Sequence, residues 1–108
     1  MTPTTKIAEQ NDALRSTFLG GKVLLTEGIQ SLDKNVRAEI LGKVRTFNHF
    51  TADNDPYNEH DFGSFQHEGY KIFWKIDYYD ATFTYGSDNP ANSETTRCVL
   101  TIMLAEEY

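Results

Sequence analysis

The stretch 62–79, FGSFQHEGYKIFWKIDYY, decides the fold. Tyr70, Ile72, Trp74, Ile76 and Tyr78 alternate with Lys71, Phe73, Lys75, Asp77 and Tyr79, which is the period of two of a β-strand with one core face. Residues 62–67 read as a preceding strand, and Glu68-Gly69 between the two has the length and the glycine of a tight hairpin turn. An antiparallel pair thus anchors the second half of the chain.

Working outward toward the C-terminus, 83–85 offers a short further strand. GSDNPANSET (86–95) is loop by its Gly, Pro, Asn and Ser content, and RCVLTIML (97–104) reads as a largely buried final strand. Cys98, Leu100, Ile102 and Leu104 share one side of it.

Toward the N-terminus the period lengthens. Val36, Ile40, Val44 and Phe47 fall within an arc of about 80° on a helix, with Ser31 and Asp33 upstream as oxygen donors for capping. Lys34, Asn35, Ala38, Glu39 and Arg45 project elsewhere as a solvated back. Further upstream Ile7, Asn11, Leu14 and Phe18 recur at helical steps, and Gly20-Gly21 stops that helix. KVLLT (22–26) reads as a strand that Gly28 ends.

The order is helix, strand, helix, then three or four strands linked by short turns. This predicts an α+β fold: an antiparallel sheet of four to five strands with two helices packed on one face. At 108 residues, residues 1–108 are expected to make a single domain.

Charge constrains the partners. The chain carries a formal net charge of −6, which disfavours direct nucleic-acid binding and acidic membranes, because both need lysine and arginine. Residues 1–45 hold seven Lys/Arg against five Asp/Glu, whereas residues 46–108 hold three against eleven. No apolar run reaches the roughly 18 residues of a membrane span, Cys98 has no internal disulfide partner, and no secretory h-region opens the chain. A cytoplasmic protein is expected.

The blocks NDALRSTFLGGKVLLTEGI, FTADNDPYNEHDFGSF, FWKIDYYD, YGSDNP and VLTIMLAEEY give the chain a resemblance covering almost its whole length. It resembles the family of small bacterial proteins known as domain of unknown function 3768. The resemblance implies no activity, cofactor or catalytic residue. It does imply a stand-alone cytoplasmic protein and keeps a mobile-element or defence context in view.

The chemistry with most to offer lies in TADNDPYNEHDFGSF (51–65). Asp53, Asp55, Glu59 and Asp61 are hard oxygen donors beside His60, with no Lys or Arg among them, and suit a basic protein partner better than a small molecule. With His49 added, the same set (His49, Asp53, Asp55, Glu59, His60, Asp61) is a candidate for a divalent metal, though its spacing matches no known cage. As a calcium loop it fails: Tyr57, Asn58 and Ser64 stand where a ligand, a glycine and a bidentate glutamate are needed. Asp and Asn oxygens in turns also have a plain use as acceptors of backbone N–H groups.

A secondary candidate is the aromatic and acidic group Trp74, Asp77, Tyr79 and Asp80, of the kind found in sugar sites, set against an aromatic core with a turn aspartate. Ser64 lacks a nucleophile elbow, and Cys98 among Val99, Leu100 and Ile102 reads as a buried thiol. No complete catalytic motif is present, so the expectation leans away from an enzyme, and no cofactor is predicted. The leading function is a binding or regulatory module whose acidic surface, residues 53–61, engages a basic protein; the alternative is a small metal-dependent hydrolase using the His/carboxylate cluster.

Overall fold

The alternating segment is a strand in the computed structural model, which describes residues 3–108. Along the chain the elements are helix α1 (Pro3–Thr17), strand β1 (Lys22–Leu25), the short helix α2 (Glu27–Gln30), helix α3 (Lys34–Thr46), strands β2 (Phe62–His67), β3 (Tyr70–Tyr79) and β4 (Arg97–Leu104), and a closing 3-10 turn, Ala105–Glu107. The fold is α+β.

The four strands form one sheet in the order β1-β4-β3-β2. β2 and β3 pair antiparallel through the Glu68-Gly69 turn, whose two residues both have positive φ, 49° and 85°. β3 and β4 are also antiparallel, with Trp74 opposite Ile102 and Ile76 opposite Leu100.

The sheet is not purely antiparallel as expected. β1 lies parallel to β4, with Val23 opposite Leu100 and Leu25 opposite Ile102. That register turns Val23 and Leu25 toward the helices and leaves Leu24, half exposed, on the opposite face. A four-residue apolar run carries no record of its direction, and this pairing rests on which edge of β4 stays open once β3 has taken the other.

Two further details depart from expectation. Gly28 does not simply end β1: it lies within α2, which Thr26 precedes in extended conformation. Residues 83–85 form no strand. Asp80 Oδ1 accepts the N–H groups of Thr82 and Thr84, and Phe83 has φ 58°, so the chain curls there and leaves only an isolated bridge between Tyr79 and Gly86.

All three helices contribute to one core on one face. Leu14, Ile29, Ile40 and Val44 pack against Ile72, Trp74, Ile76, Leu100 and Ile102. Ile29, Ile40, Val44, Ile72, Trp74, Leu100 and Ile102 have no exposed surface, and burying each such side chain is worth about 1.5–3 kcal/mol. Asp33 caps α3 by accepting the Asn35 N–H at 2.8 Å.

The helix-free face is closed in part by aromatic rings. Phe62, Phe73 and Tyr108 meet edge to face, with centroids 5.3–6.5 Å apart. Among the described residues no helix is long and apolar enough to cross a membrane.

Candidate functional site

The acidic segment 51–61 is folded against α1 and β3. Its turn is built on Asp55, which is 3% exposed. Asp55 N–H donates to the Thr51 carbonyl, and Asp55 Oδ1 accepts the backbone N–H groups of Glu59 at 3.0 Å and His60 at 3.1 Å. One carboxylate thereby satisfies two donors that the left-handed residues Asn58 and His60, both at φ 56°, would otherwise leave unpaired.

His60 is then pinned on three sides. Its ring stacks on Phe50 with centroids 3.9 Å apart and planes 1° from parallel. Its Nδ1 lies 3.0 Å from both carboxylate oxygens of Asp12 on α1, and its Nε2 lies 3.6 Å from Asp55 Oδ2, beyond hydrogen-bond length. Because an ionised carboxylate can only accept, the contact with Asp12 places a proton on Nδ1.

Asp12 also receives Arg15 Nη2 at 3.0 Å. Arg15 runs inward from there, over the rings of Trp74 and Phe50 at 5.2 and 5.5 Å, and its Nη1 donates to the Val44 carbonyl at 2.9 Å. It caps the C-terminal end of α3, adding a buried donor to the long Phe47 N–H contact of 3.3 Å on the same carbonyl. The fully buried Asn11 donates from Nδ2 to the Glu59 carbonyl and to Tyr78 Oη, each at 2.9 Å, and Tyr78 donates in turn to Glu59 Oε1 at 3.1 Å. Burial and the neighbouring carboxylates push the Tyr78 hydroxyl well above the ordinary tyrosine range, so it stays a donor.

Asp53 is exposed, and Glu59 and Asp61 are half-buried. Burial first, and then repulsion from Glu59, Asp55 and Asp77, raises the Asp61 carboxyl above its usual range. Asp77 reaches the same neighbourhood from β3 and pairs with Lys75 at 2.7 Å. Among the described residues no lysine or arginine forms an ion pair with Asp53, Glu59 or Asp61.

The structure therefore divides the candidates. Asp55 and His60 are spent on holding the loop, whereas Asp53 is exposed, Asp61 is half-buried and Glu59, also half-buried, accepts the Tyr78 hydroxyl. His49 lies apart from them, exposed, in a groove of about 410 Å³ between α3 and β2 with Lys43, Phe47 and Ser64. The six metal candidates do not bring three ligand atoms together within 4.8 Å; among the described residues a group that does lies elsewhere, at the hairpin tip.

The secondary group is likewise separated. Trp74 is fully buried under Phe47 and Phe50, and Asp77 projects from the opposite face of β3. Tyr79 ends the strand opposite Arg97. Asp80 is a turn residue whose carboxyl is held below its usual range by the Thr84 and Thr82 donors. Burial pushes the Cys98 thiol up, away from the reactive thiolate form.

Asp12, Arg15 and Tyr78 escaped the sequence-based candidate set because the chain brings them to the loop from distant elements. One signal pointed there: Asn11 is a polar residue inside the apolar stripe of α1, and such a residue needs a buried partner.

A family model described as "Protein of unknown function (DUF3768)" matches residues 25–107. Comparison with curated proteins and with solved structures gives no match. The family match covers the acidic loop and strands β2–β4, while Asn11, Asp12 and Arg15 on α1 lie outside it.

Proposed function

We propose, for a chain that belongs to the DUF3768 family of proteins of unknown function, that it is a binding module whose acidic surface at residues 53–61 takes a basic segment of a partner protein. The observation that carries this reading is the crowding of Asp61 with Glu59, Asp55 and Asp77 where no lysine or arginine pairs with Asp61. Like charges held together at a half-buried position raise each other's energy, and an incoming cationic side chain relieves Asp61 and Glu59, Asp77 already having Lys75 and Asp55 its backbone donors.

Asp55 and His60 serve this role indirectly. The cap on the Glu59 and His60 N–H groups and the clamp between His60 and Asp12 fix the loop before a partner arrives, so little ordering entropy is lost on binding. Asp53, Glu59 and Asp61 supply the contacts.

The test uses a fluorescent peptide of alternating lysine and glycine titrated with the full chain at low and physiological salt. Binding that weakens with salt, and that the pair Asp53→Lys and Asp61→Asn reduces at least about tenfold with a melting temperature no lower than that of wild type, is the expected result. Equal affinity for wild type and the double variant would refute the assignment.

A further inference from the structure

We propose that Glu39, His67 and Glu68 form a site for a divalent first-row transition ion, zinc by preference, which clamps the tip of the β2–β3 hairpin onto α3. The site is separate from the acidic loop and independent of the function proposed for it.

One ligand atom from each of these side chains lies within 4.8 Å of the other two. The imidazole is nine-tenths buried, and its Nε2 faces Glu39 Oε1 at 3.4 Å. That separation is long for an N–H···O bond, for which about 2.7–3.2 Å is usual, so the two groups are weakly paired without an ion. It equals the spacing of two ligands that share one ion: atoms bound at about 2.1 Å with a tetrahedral angle between them stand about 3.4 Å apart. Burial removes most of the freedom His67 would otherwise lose on binding.

Glu68 completes the donor set from the turn. It sits in the left-handed region at φ 49°, followed by Gly69 at φ 85°, in a two-residue turn whose first position favours asparagine, aspartate or glycine. A glutamate there is held at steric cost, and the carboxylate it gains is the one beside His67. The nearby cation does not compete: Lys43, one turn along α3 from Glu39, donates to the Gln66 carbonyl at 3.4 Å and lies over Phe65. Among the described residues neither glutamate has a lysine or arginine partner.

The donor set names the class of ion. One imidazole nitrogen with two carboxylates suits zinc, manganese or ferrous iron, whereas calcium and magnesium favour all-oxygen sets. Because Glu39 and Glu68 are exposed, water completes the coordination sphere, and the ion locks a helix to a hairpin that the chain joins only through the acidic loop.

The experiment uses the full chain without an affinity tag and zinc alone as the probe, with equilibrium dialysis for stoichiometry and thermal melts for stability. One zinc per chain, a melting temperature that rises with zinc and returns on chelation, and no shift with magnesium at the same concentration are expected. Glu39→Gln and Glu68→Asn each weaken zinc binding about 100-fold, since loss of even an outer partner of a ligand costs 10- to 100-fold. Glu68→Asn carries a second signature: it raises the melting temperature of the metal-free protein, because asparagine tolerates the left-handed turn, while cancelling the rise with zinc. His49→Ala leaves zinc binding unchanged. Absence of a bound equivalent in wild type, or affinity undiminished in both glutamate variants, overturns the site.

Discussion

Arg15 of α1 donates through Nη1 to the carbonyl of Val44, 2.9 Å away at the end of α3. This contact joins two helices by a side chain that is almost fully buried and stacked over Trp74 and Phe50. Its fork reaches Asp12 with the other terminal nitrogen, so one residue ties the helix layer to the loop that carries His60.

Arg15→Met is expected to destabilise the fold by about 2 kcal/mol, since helix-end carbonyls are left buried while the aliphatic packing survives. Arg15→Lys does not rescue it, because an ammonium cannot serve Val44 and Asp12 from one planar group. Urea midpoints for the two variants measure this, and equality of Arg15→Lys with wild type contradicts the bridging role.

Asp61 gives a pH dependence of definite sign. Its carboxyl is raised in the folded state, so the folded chain holds that proton to higher pH than the unfolded chain, whose value is near 3.8. Stability therefore falls as pH rises from there through the raised folded value, and the penalty stays in full above it. Asp61→Asn should stabilise the fold at pH 7, by less than about 1 kcal/mol once solvent screening is discounted, and leave stability unchanged near pH 3.5, as thermal melts at the two pH values would show. A gain of equal size at both pH values would remove the electrostatic explanation.

Gly63 faces Trp74 across the β2–β3 pair, and a methyl group there would meet Trp74 Nε1, with Trp74 Cε2 at 2.7 Å and Phe47 Cε1 at 2.8 Å. Gly63→Ala is expected to cost about 1–3 kcal/mol through forced repacking of both rings. Gly42→Ala, with open space at the added carbon, stabilises or leaves unchanged the middle of α3. Tryptophan fluorescence during chemical unfolding separates the two, and a neutral Gly63→Ala would show that the strand can shift.

Glu107 closes the C-terminal turn over the start of α2. It accepts Thr26 Oγ1 at 2.6 Å, Gly28 N–H at 2.9 Å and Leu104 N–H at 2.9 Å, and these donors hold its carboxyl below the usual range. A depressed value means that the contribution is present above the unfolded pKa, 4.5, and is lost as pH falls through the folded one. Amide exchange at Gly28 should therefore accelerate in Glu107→Ala at pH 7, after correction for intrinsic rates. Unchanged protection would mean that the turn holds without it.

How much of this was legible in the letters varies by element. Tyr70–Tyr79 and Arg97–Leu104 were readable to their ends, because alternation over eight or ten residues has one reading and Gly69 marks the turn. Val36, Ile40 and Val44 likewise announced α3. The direction of β1 was not readable, since Lys22–Leu25 packs equally well either way until β4 offers a single open edge. Among the acidic residues, sequence grouped Asp53, Asp55, Glu59 and Asp61 on one loop but gave no sign that Asp55 turns inward. An aspartate that caps two N–H groups and one that faces water are the same letter. Glu39, His67 and Glu68 were passed over because a helix and a hairpin far apart in the chain bring them together.

The parallel union of β1 with β4 also governs how the chain comes to be built. Lys22–Leu25 emerges early in synthesis, yet its partners Val99 to Ile102 are made 77 residues later. Until they arrive, the first strand has no seat and the hairpin β2–β3 lacks its inner neighbour. The final strand is the keystone of the sheet: removing it orphans both flanks at once, so a chain ended before Arg97 leaves the ribosome with its apolar rows uncovered.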